Sequence, residues 1–242
     1  MKILILGGTG EARALAEALV EAGHDVATAL AGRTSEPILP SGKLRIGGFG
    51  GAEGLANFLR REKIERLVDA THPYADTISR SAWVAAGACS VPLVRYSRPP
   101  WVQQPGARWI EVATIAEAAA ALPQGAHALI TTGHAGLEYL LAREDCRLVV
   151  RLIEPPSMTL PPHAKMVLSR PPYSLEDEMA LLRGEGITHL LTKNSGGAQT
   201  TAKLEAARRL DIAIVMVARP AHDGATETTS LAEALMALQL DG

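Results

Sequence analysis

The sequence predicts an α/β fold in which two domains are each built on a parallel sheet. Short runs rich in Leu, Val and Ile alternate with Ala-rich segments of helical periodicity along nearly the whole chain. This alternation is typical of βαβ units. A glycine-rich turn directly follows the first apolar run, and a proline-rich segment at residues 98–106 separates two sets of such units.

The first half is predicted to contain five strands and three helices. The strands are short apolar runs, and the helices repeat apolar residues at intervals of three and four positions. The predicted strands are 2–6, 25–30, 43–47, 66–70 and 92–96, and the predicted helices are 10–22, 51–62 and 75–87.

The second half repeats the same alternation. Its predicted strands are 108–112, 127–131, 147–152, 165–169, 188–192 and 212–217, and its predicted helices are 114–121, 134–142, 174–184, 199–209 and 227–238. We place the boundary after residue 98, which gives domains at 1–98 and 99–242. A ligand is expected in the cleft between two such domains.

Composition narrows the classes of function. The chain has 242 residues, 47% of them hydrophobic, and its 24 basic residues nearly balance 26 acidic ones. No basic field would attract nucleic acid, and no apolar run is long enough to cross a bilayer. Cys89 and Cys146 form no metal-binding pair, and the histidines lack metal-ligand spacing. We therefore expect a cytoplasmic protein without a metal site, a membrane anchor or a nucleic-acid partner.

The glycine-rich turn indicates a nucleotide site. Gly8, Thr9, Gly10 and Glu11 lie between the first predicted strand and the first predicted helix. Glycines let a pyrophosphate approach the backbone, and the amides and dipole of the helix attract its charge. We predict a Rossmann-like domain that binds a cofactor here, although Arg13 stands where the usual G-x-G-x-x-G pattern has its third glycine. The alternative is an ordinary strand-to-helix turn.

The end of the second predicted strand bears on which cofactor binds. It lacks the acidic residue that would bind a ribose 2′-hydroxyl, and Arg33 follows shortly after it. An arginine at this point suits a 2′-phosphate, which favours NADPH and leaves NADH possible. The alternative is that Arg33 is a solvated loop residue.

Polar residues follow other strands of the first half. Thr71, His72 and Tyr74 come after the fourth strand, and Thr71 would face the ligand. The imidazole of His72 could donate a proton near neutral pH, or it could hold the loop. Arg95, Arg98 and Trp101 would suit a planar polycarboxylate or a surface between domains.

The loops of the second half are similar in character. Thr132, Gly133 and His134 follow one strand, and Lys193, Asn194, Ser195 and Gly196 follow another, with Arg219 after the last. Cations, amides and glycines in this arrangement suit an anion-binding nest. The chain has neither a G-x-S-x-G elbow nor a Tyr-x-x-x-Lys pair, which argues against acyl transfer and against the short-chain dehydrogenase mechanism.

Five blocks together resemble the precorrin-6A reductase family, which includes cobalt-precorrin-6A reductases. They span nearly the whole chain and are 7–11, 69–75, 95–101, 132–133 and 193–197. The resemblance implies a reduced nicotinamide cofactor in the first domain and a tetrapyrrole in the second. It also implies hydride transfer to one carbon–carbon double bond of precorrin-6A or its cobalt complex, with a possible hand-over to other corrin-pathway enzymes.

The resemblance also implies roles for the residues above. Those expected at the cofactor are Gly8, Thr9, Gly10, Glu11, Arg33 and Thr71. Those expected at the substrate are Tyr74, Arg95, Arg98, Trp101, Thr132, Gly133, His134, Lys193, Asn194, Ser195, Gly196 and Arg219. His134 departs from the family pattern, where a basic residue such as arginine is expected. Two other functions remain open: a non-catalytic NAD(P) sensor and a reductase of another small substrate.

Overall fold

The computed structural model describes residues 1–32, 38–221 and 225–239, which form two compact units. The first unit comprises the chain up to Pro99 and the described part of the C-terminal segment from Pro220, and the second is Pro100–Arg219. Each unit contains one six-stranded parallel sheet with helices. The predicted α/β class with two parallel sheets is confirmed.

The elements alternate along the chain as expected. The strands are β1 (Lys2–Leu6), β2 (Asp25–Leu30), β3 (Lys43–Ile46), β4 (Arg66–Asp69), β5 (Leu93–Tyr96), β6 (Trp109–Val112), β7 (His127–Ile130), β8 (Arg147–Leu152), β9 (Ala164–Leu168), β10 (His189–Lys193), β11 (Ala213–Val217) and β12 (Thr226–Thr228). The helices are α1 (Gly10–Glu21), α2 (Gly51–Glu62), α3 (Asp76–Cys89), α4 (Ile115–Ala121), α5 (Leu137–Leu141), α6 (Leu175–Gly184), α7 (Ala202–Arg209) and α8 (Leu231–Gln239).

The first sheet has the strand order β12-β5-β4-β1-β2-β3. Alternate residues of β1 face opposite sides: Ile3 and Ile5 pack with α1 and α8, whereas Leu4 and Leu6 pack with α2 and α3. Both faces of a parallel sheet must be covered, so its strands are apolar throughout. The order reverses between β1 and β4, and in open α/β sheets ligands bind beyond the carboxyl ends of the strands at such a reversal.

The second sheet has the order β6-β11-β10-β7-β8-β9. Its order reverses between β7 and β10, which are paired in parallel. Apolar side chains of the central strands, among them Leu129, Leu190 and Ile214, pack with residues of α6 and α7 in one core. The second unit therefore has its own switch point, formed by the loops after β7 and β10.

The C-terminal segment differs from the sequence-based division of the chain. The sequence-based division assigns all of 99–242 to the second domain, but β12 pairs with β5 of the first sheet. Helix α8 packs against α1 and β5. The segment Thr226–Thr228 has no apolar run to mark it as a strand, and only its pairing with β5 makes it one. This pairing corrects both the domain boundary and the predicted helix at 227–238, which begins at Leu231.

A buried ion pair fixes helix α6 to the second sheet. The guanidinium of Arg151 on β8 donates two hydrogen bonds of 3.0 Å to the carboxylate of Glu178, and both side chains are almost fully buried. The ring of Tyr173 lies 4.1 Å from the same guanidinium. Loss of one partner would leave the other charge buried, which costs far more than an exposed pair can contribute.

We predict that Glu178→Gln lowers the free energy of unfolding by about 3 to 5 kcal/mol, because it leaves the Arg151 charge without a counter-charge. Urea unfolding followed by tryptophan fluorescence measures this, since Trp101 and Trp109 belong to the second unit. Glu205→Gln is the matched control, because Glu205 pairs with Arg208 and Arg209 at the surface, where the loss of a charge should change the midpoint little. Equal midpoints for the two variants would contradict the prediction.

Candidate functional site

The loops after β1 and β4 are joined by one hydroxyl at the first switch point. The Oγ1 of Thr9 donates to the carbonyl of Ala70 at 2.7 Å and accepts the N–H of Ala12 at 3.1 Å. Thr9 is therefore the N-cap of α1 and also ties the glycine loop to the β4 loop. Its side chain supports the loop, while the backbone of the loop is available to a ligand.

Gly7 and Gly8 of this loop are each required to be glycine for a different physical reason. A Cβ on Gly7 would lie 2.7 Å from Cγ2 of Thr28, so the backbone needs glycine to pack against β2. Gly8 has φ +111°, a conformation that favours glycine, and a Cβ there would meet nothing within 4 Å. Open space thus lies over Gly8, beside the first amides of α1. A dinucleotide pyrophosphate fits this cradle.

An ion pair lies at the first turn of α1. The Glu11 carboxylate contacts Nη1 of Arg98 at 3.2 Å, with both side chains partly exposed. Burial raises the pKa of the Tyr96 hydroxyl, and the nearby Glu11 charge raises it further. Arg98, which we expected at the substrate, therefore lies beside the predicted cofactor loop, where it offsets a negative charge.

The β4 loop is fixed by a buried carboxylate that sequence reasoning did not assign to the site. Asp69 accepts hydrogen bonds from the N–H and the hydroxyl of Thr71, at 3.1 and 2.6 Å, and from Nη1 of Arg95 at 2.5 Å. Arg95 is 4% exposed and also donates to Ser79. Both Thr71 and Arg95 are thus engaged inside the first unit. Asp69 and Arg95 are register partners on β4 and β5, and opposite charges at the ends of two adjacent strands were the available signal.

His72 has a defined hydrogen-bonding role in this loop. The backbone N–H of Tyr74 donates to Nδ1 of His72 at 3.3 Å, and the two rings lie 5.8 Å apart. A ring nitrogen that accepts a hydrogen bond carries no proton, so the proton of the neutral ring is on Nε2. The contact therefore makes Nδ1 of His72 an acceptor inside the loop.

The loop after β7 forms one side of the second switch point. Thr132 is 5% exposed, and its Oγ1 has no hydrogen-bond partner among the residues that the structure describes. Gly133 has φ +80° and open space where a Cβ would lie. Nε2 of His134 lies 2.9 Å from the carbonyl oxygen of Glu154, so a hydrogen bond orients this ring.

The loop after β10 is clamped to the start of the second unit. The side-chain oxygen of Asn194 accepts the N–H of Trp101 at 2.7 Å, and its amide nitrogen donates to the Trp101 carbonyl at 3.1 Å. The indole N–H of Trp101 donates to the carbonyl of Gly197 at 3.0 Å. The ammonium of Lys203 lies 5.2 Å from the centre of the indole. Trp101 and Asn194, both expected at the substrate, thus hold each other in place.

Arg219 completes this cluster from the end of β11. Its guanidinium donates to the carbonyls of Asn194 and Ser195, at 2.7 and 3.0 Å. Gly196 has φ +68°, which favours glycine in this turn. Burial lowers the pKa of the Lys193 ammonium at the end of β10. Side chains that we expected at the substrate therefore build the loop, and Lys193 is a partly desolvated cation beside it.

The structure divides the predicted site residues between the two units. The first unit carries Gly8, Thr9, Gly10, Glu11, Thr71, His72, Tyr74, Arg95 and Arg98, and the second carries Trp101, Thr132, Gly133, His134, Lys193, Asn194, Ser195, Gly196 and Arg219. Arg33 lies outside the described residues. Within the described ranges, no group of three His, Cys, Asp or Glu side chains could hold a metal ion, and no helix could cross a membrane.

Comparison with known proteins gives consistent results. The family model described as precorrin-6x reductase CbiJ/CobK matches residues 2–239. The precorrin-6A reductase of Rhodococcus erythropolis is 47% identical, over 94% of this chain and 92% of that protein. The cobalt-precorrin-6A reductase of Priestia megaterium is 32% identical, over 98% and 97%. A solved structure of a CobK precorrin-6A reductase superposes with a TM-score of 0.92 at 39% identity, covering 100% of this chain and 96% of that one.

We predict that Asn194→Asp lowers the free energy of unfolding by about 3 kcal/mol at pH 7. The aspartate keeps the acceptor for the Trp101 N–H but places a buried charge against the Trp101 carbonyl, which loses its donor. The loss should shrink at pH 4 to 5, because a protonated carboxyl can donate to that carbonyl. Urea unfolding at both pH values measures the effect.

The matched control for this variant is Asn57→Asp. Asn57 lies on the exposed face of α2, where its side chain accepts a hydrogen bond from Arg60 at 3.3 Å. An added carboxylate there is solvated and should leave the unfolding free energy nearly unchanged. If Asn194→Asp behaved like this control, the clamp on Trp101 would not contribute to stability.

Proposed function

The chain belongs to the precorrin-6x reductase CbiJ/CobK family, and from this premise we propose which of its residues bind the cofactor and the substrate. The chain is an oxidoreductase of cobalamin biosynthesis that reduces one carbon–carbon double bond of the precorrin-6A macrocycle. Close similarity to a precorrin-6A reductase along nearly the whole chain carries this conclusion. No observation favours the two alternatives, a non-catalytic sensor and a reductase of another small substrate.

The family implies a reduced nicotinamide cofactor, and the proposed site for it is the first switch point. The open space over Gly8 and the exposed backbone at Gly10 support a pyrophosphate there, beside the amides of α1. We propose NADPH as the preferred form. The support is chemical: no acidic residue ends β2, and Arg33 follows it in the sequence.

When bound, the reduced nicotinamide supplies a hydride, and water or a protein acid supplies the proton that completes the reduction of the double bond. The protein's contribution is to orient both partners and to stabilise charge. The Thr9 bond to Ala70 and the Asp69 bonds to Thr71 fix the two loops that flank the proposed cofactor site. Fixed loops lower the entropic cost of aligning the reacting atoms.

His72 is proposed to contact the reacting groups as a neutral hydrogen-bond donor. The Tyr74 N–H occupies Nδ1, so an imidazolium acid would first have to break that contact. Donation from Nε2 would leave the Tyr74 contact in place and can stabilise negative charge as it develops on the macrocycle. In this role the proton that completes the reaction comes from water.

The proposed substrate site is the second switch point. The macrocycle of the family's substrate carries acetate and propionate side chains, and such carboxylates require cations and hydrogen-bond donors. Lys193, Thr132 and the backbone at Gly133 are suited to bind them. Asn194, Arg219 and Trp101 contribute indirectly, because they hold the loop after β10 in place.

We further propose that the substrate is the metal-free macrocycle. The chain is more similar to precorrin-6A reductases than to cobalt-precorrin-6A reductases, at 47% against 32% identity for the two compared above. Cytoplasmic location and a hand-over of the product to other corrin-pathway enzymes stay predictions of the sequence.

The activity is tested by incubating the purified chain with precorrin-6A and NADPH, and following the nicotinamide absorbance band. We expect oxidation of NADPH only when the macrocycle is present, and a product heavier by two hydrogen atoms. NADH and cobalt-precorrin-6A, run in parallel, should give lower kcat/KM values. Tight NADPH binding without turnover of either macrocycle would overturn the proposal, and faster turnover with NADH would overturn the cofactor preference.

We predict that His72→Ala lowers kcat by about 100-fold, within the range typical of a lost donor at a reacting group, and changes the NADPH Kd little. His72→Asn should retain part of the activity, since its amide can still donate. If His72 is neutral, kcat of the wild type shows no loss as pH rises through 6 to 7.5, whereas an imidazolium acid would give such a loss. Unchanged kcat in His72→Ala would remove this residue from the mechanism.

A further inference from the structure

Arg13 occupies the position where the G-x-G-x-x-G pattern has its third glycine. That glycine normally permits close packing between helix and sheet. In this structure an alanine takes over the packing role, because Ala12 is 1% exposed and its Cβ lies 3.5 Å from where a Gly7 Cβ would be. Arg13 is therefore released from packing and remains partly exposed.

The guanidinium of Arg13 folds back over the glycine loop. Its Nη2 lies 3.7 Å from the position that a Cβ on Gly10 would take. Side chains on a helix tilt toward its N-terminus, so a residue in the first turn naturally reaches the loop that precedes it. A planar cation thus lies beside the backbone that forms the proposed pyrophosphate cradle.

The charges around this cation leave it available. The neighbouring carboxylate of Glu11 is already bound by Arg98 at 3.2 Å. Among the described residues, by contrast, the side chain of Arg13 has no hydrogen bond and no ion pair. An arginine held over a glycine loop, with no side-chain partner in the described part of the chain, is placed to receive an anion, and guanidinium groups bind phosphate oxygens in pairs.

We propose that Arg13 binds the pyrophosphate of the nicotinamide cofactor, so that an arginine replaces the third glycine as a direct ligand. The inference rests on the proposed function, since it presumes that the cofactor binds at this loop. Gly10 begins α1, where a pyrophosphate lies in such sheets, whereas a ribose 2′-phosphate lies beyond β2. The pyrophosphate is therefore the anion that the position of Arg13 fits.

Arg13→Gln and Arg13→Lys test the proposal through binding alone. The probes are NADPH, 2′-phospho-ADP-ribose, which contains the pyrophosphate, and adenosine 2′-monophosphate, which does not. For Arg13→Gln we expect the Kd of the first two to rise on the order of 10- to 100-fold, as for a lost hydrogen bond to a charged group. The Kd of adenosine 2′-monophosphate should change less than about threefold. Arg13→Lys should recover part of the affinity, because it keeps the charge but not the paired donors.

Arg61→Gln is the matched control for net charge. Arg61 is an exposed arginine on α2 whose side chain contacts Glu62. Its loss changes the charge of the protein by the same amount but should leave all three Kd values within twofold. Isothermal titration gives the Kd values, and circular dichroism confirms that the variants fold.

The outcomes separate the possible ligands. Wild-type affinity of Arg13→Gln for NADPH would overturn the proposal, and an equal loss for adenosine 2′-monophosphate would assign Arg13 to the 2′-phosphate instead. An unchanged NADPH Kd with a raised KM for precorrin-6A would assign it to a substrate carboxylate and overturn the proposal as well. If the wild type bound none of the pyrophosphate-containing ligands, the proposed cofactor itself would fail, and the inference would fall with it.

Discussion

The reversal of strand order in each parallel sheet is the constraint on which both candidate sites depend. Successive crossovers on the two sides of β1 must cover opposite faces of the sheet, so the loops after β1 and β4 diverge and leave a crevice. The same divergence follows β7 and β10 in the second unit. The backbone amides at these two places are not covered by a neighbouring connection. Both candidate sites therefore lie there.

The loops around an open crevice have no neighbouring element to pack against. Buried hydrogen bonds and ion pairs fix their conformation instead. In the first unit the Asp69 carboxylate joins Thr71 to Arg95, and the Thr9 hydroxyl joins α1 to the β4 loop. In the second unit the Asn194 amide binds the backbone of Trp101. Buried polar groups of this kind are costly unless fully satisfied, so each one permits essentially one loop conformation.

Sequence patterns predicted most elements because most of them are defined by local periodicity. The strands 2–6, 25–30 and 147–152 and the helix 51–62 have their observed bounds. Helix α5 begins at Leu137 rather than 134, because Gly133 and Gly136 take positive φ values that a helix cannot contain. Strand β12 was missed because three residues without an apolar run become a strand only through pairing with β5.

The roles of individual site residues were harder to predict than their location. A sequence shows that Arg95, Asn194 and Arg219 lie at or just after the carboxyl ends of strands, but it does not show that each is bound to protein atoms rather than available to a ligand. Arg13 is the opposite case, a residue whose proposed binding role the sequence pattern hides. Because it departs from the glycine pattern, it first suggests a weaker nucleotide site. The packing of Ala12 beneath the loop removes the need for a third glycine, and a position freed from packing can carry charge. When a sequence departs from a binding pattern, the question is therefore which physical requirement of the pattern is already met by another residue.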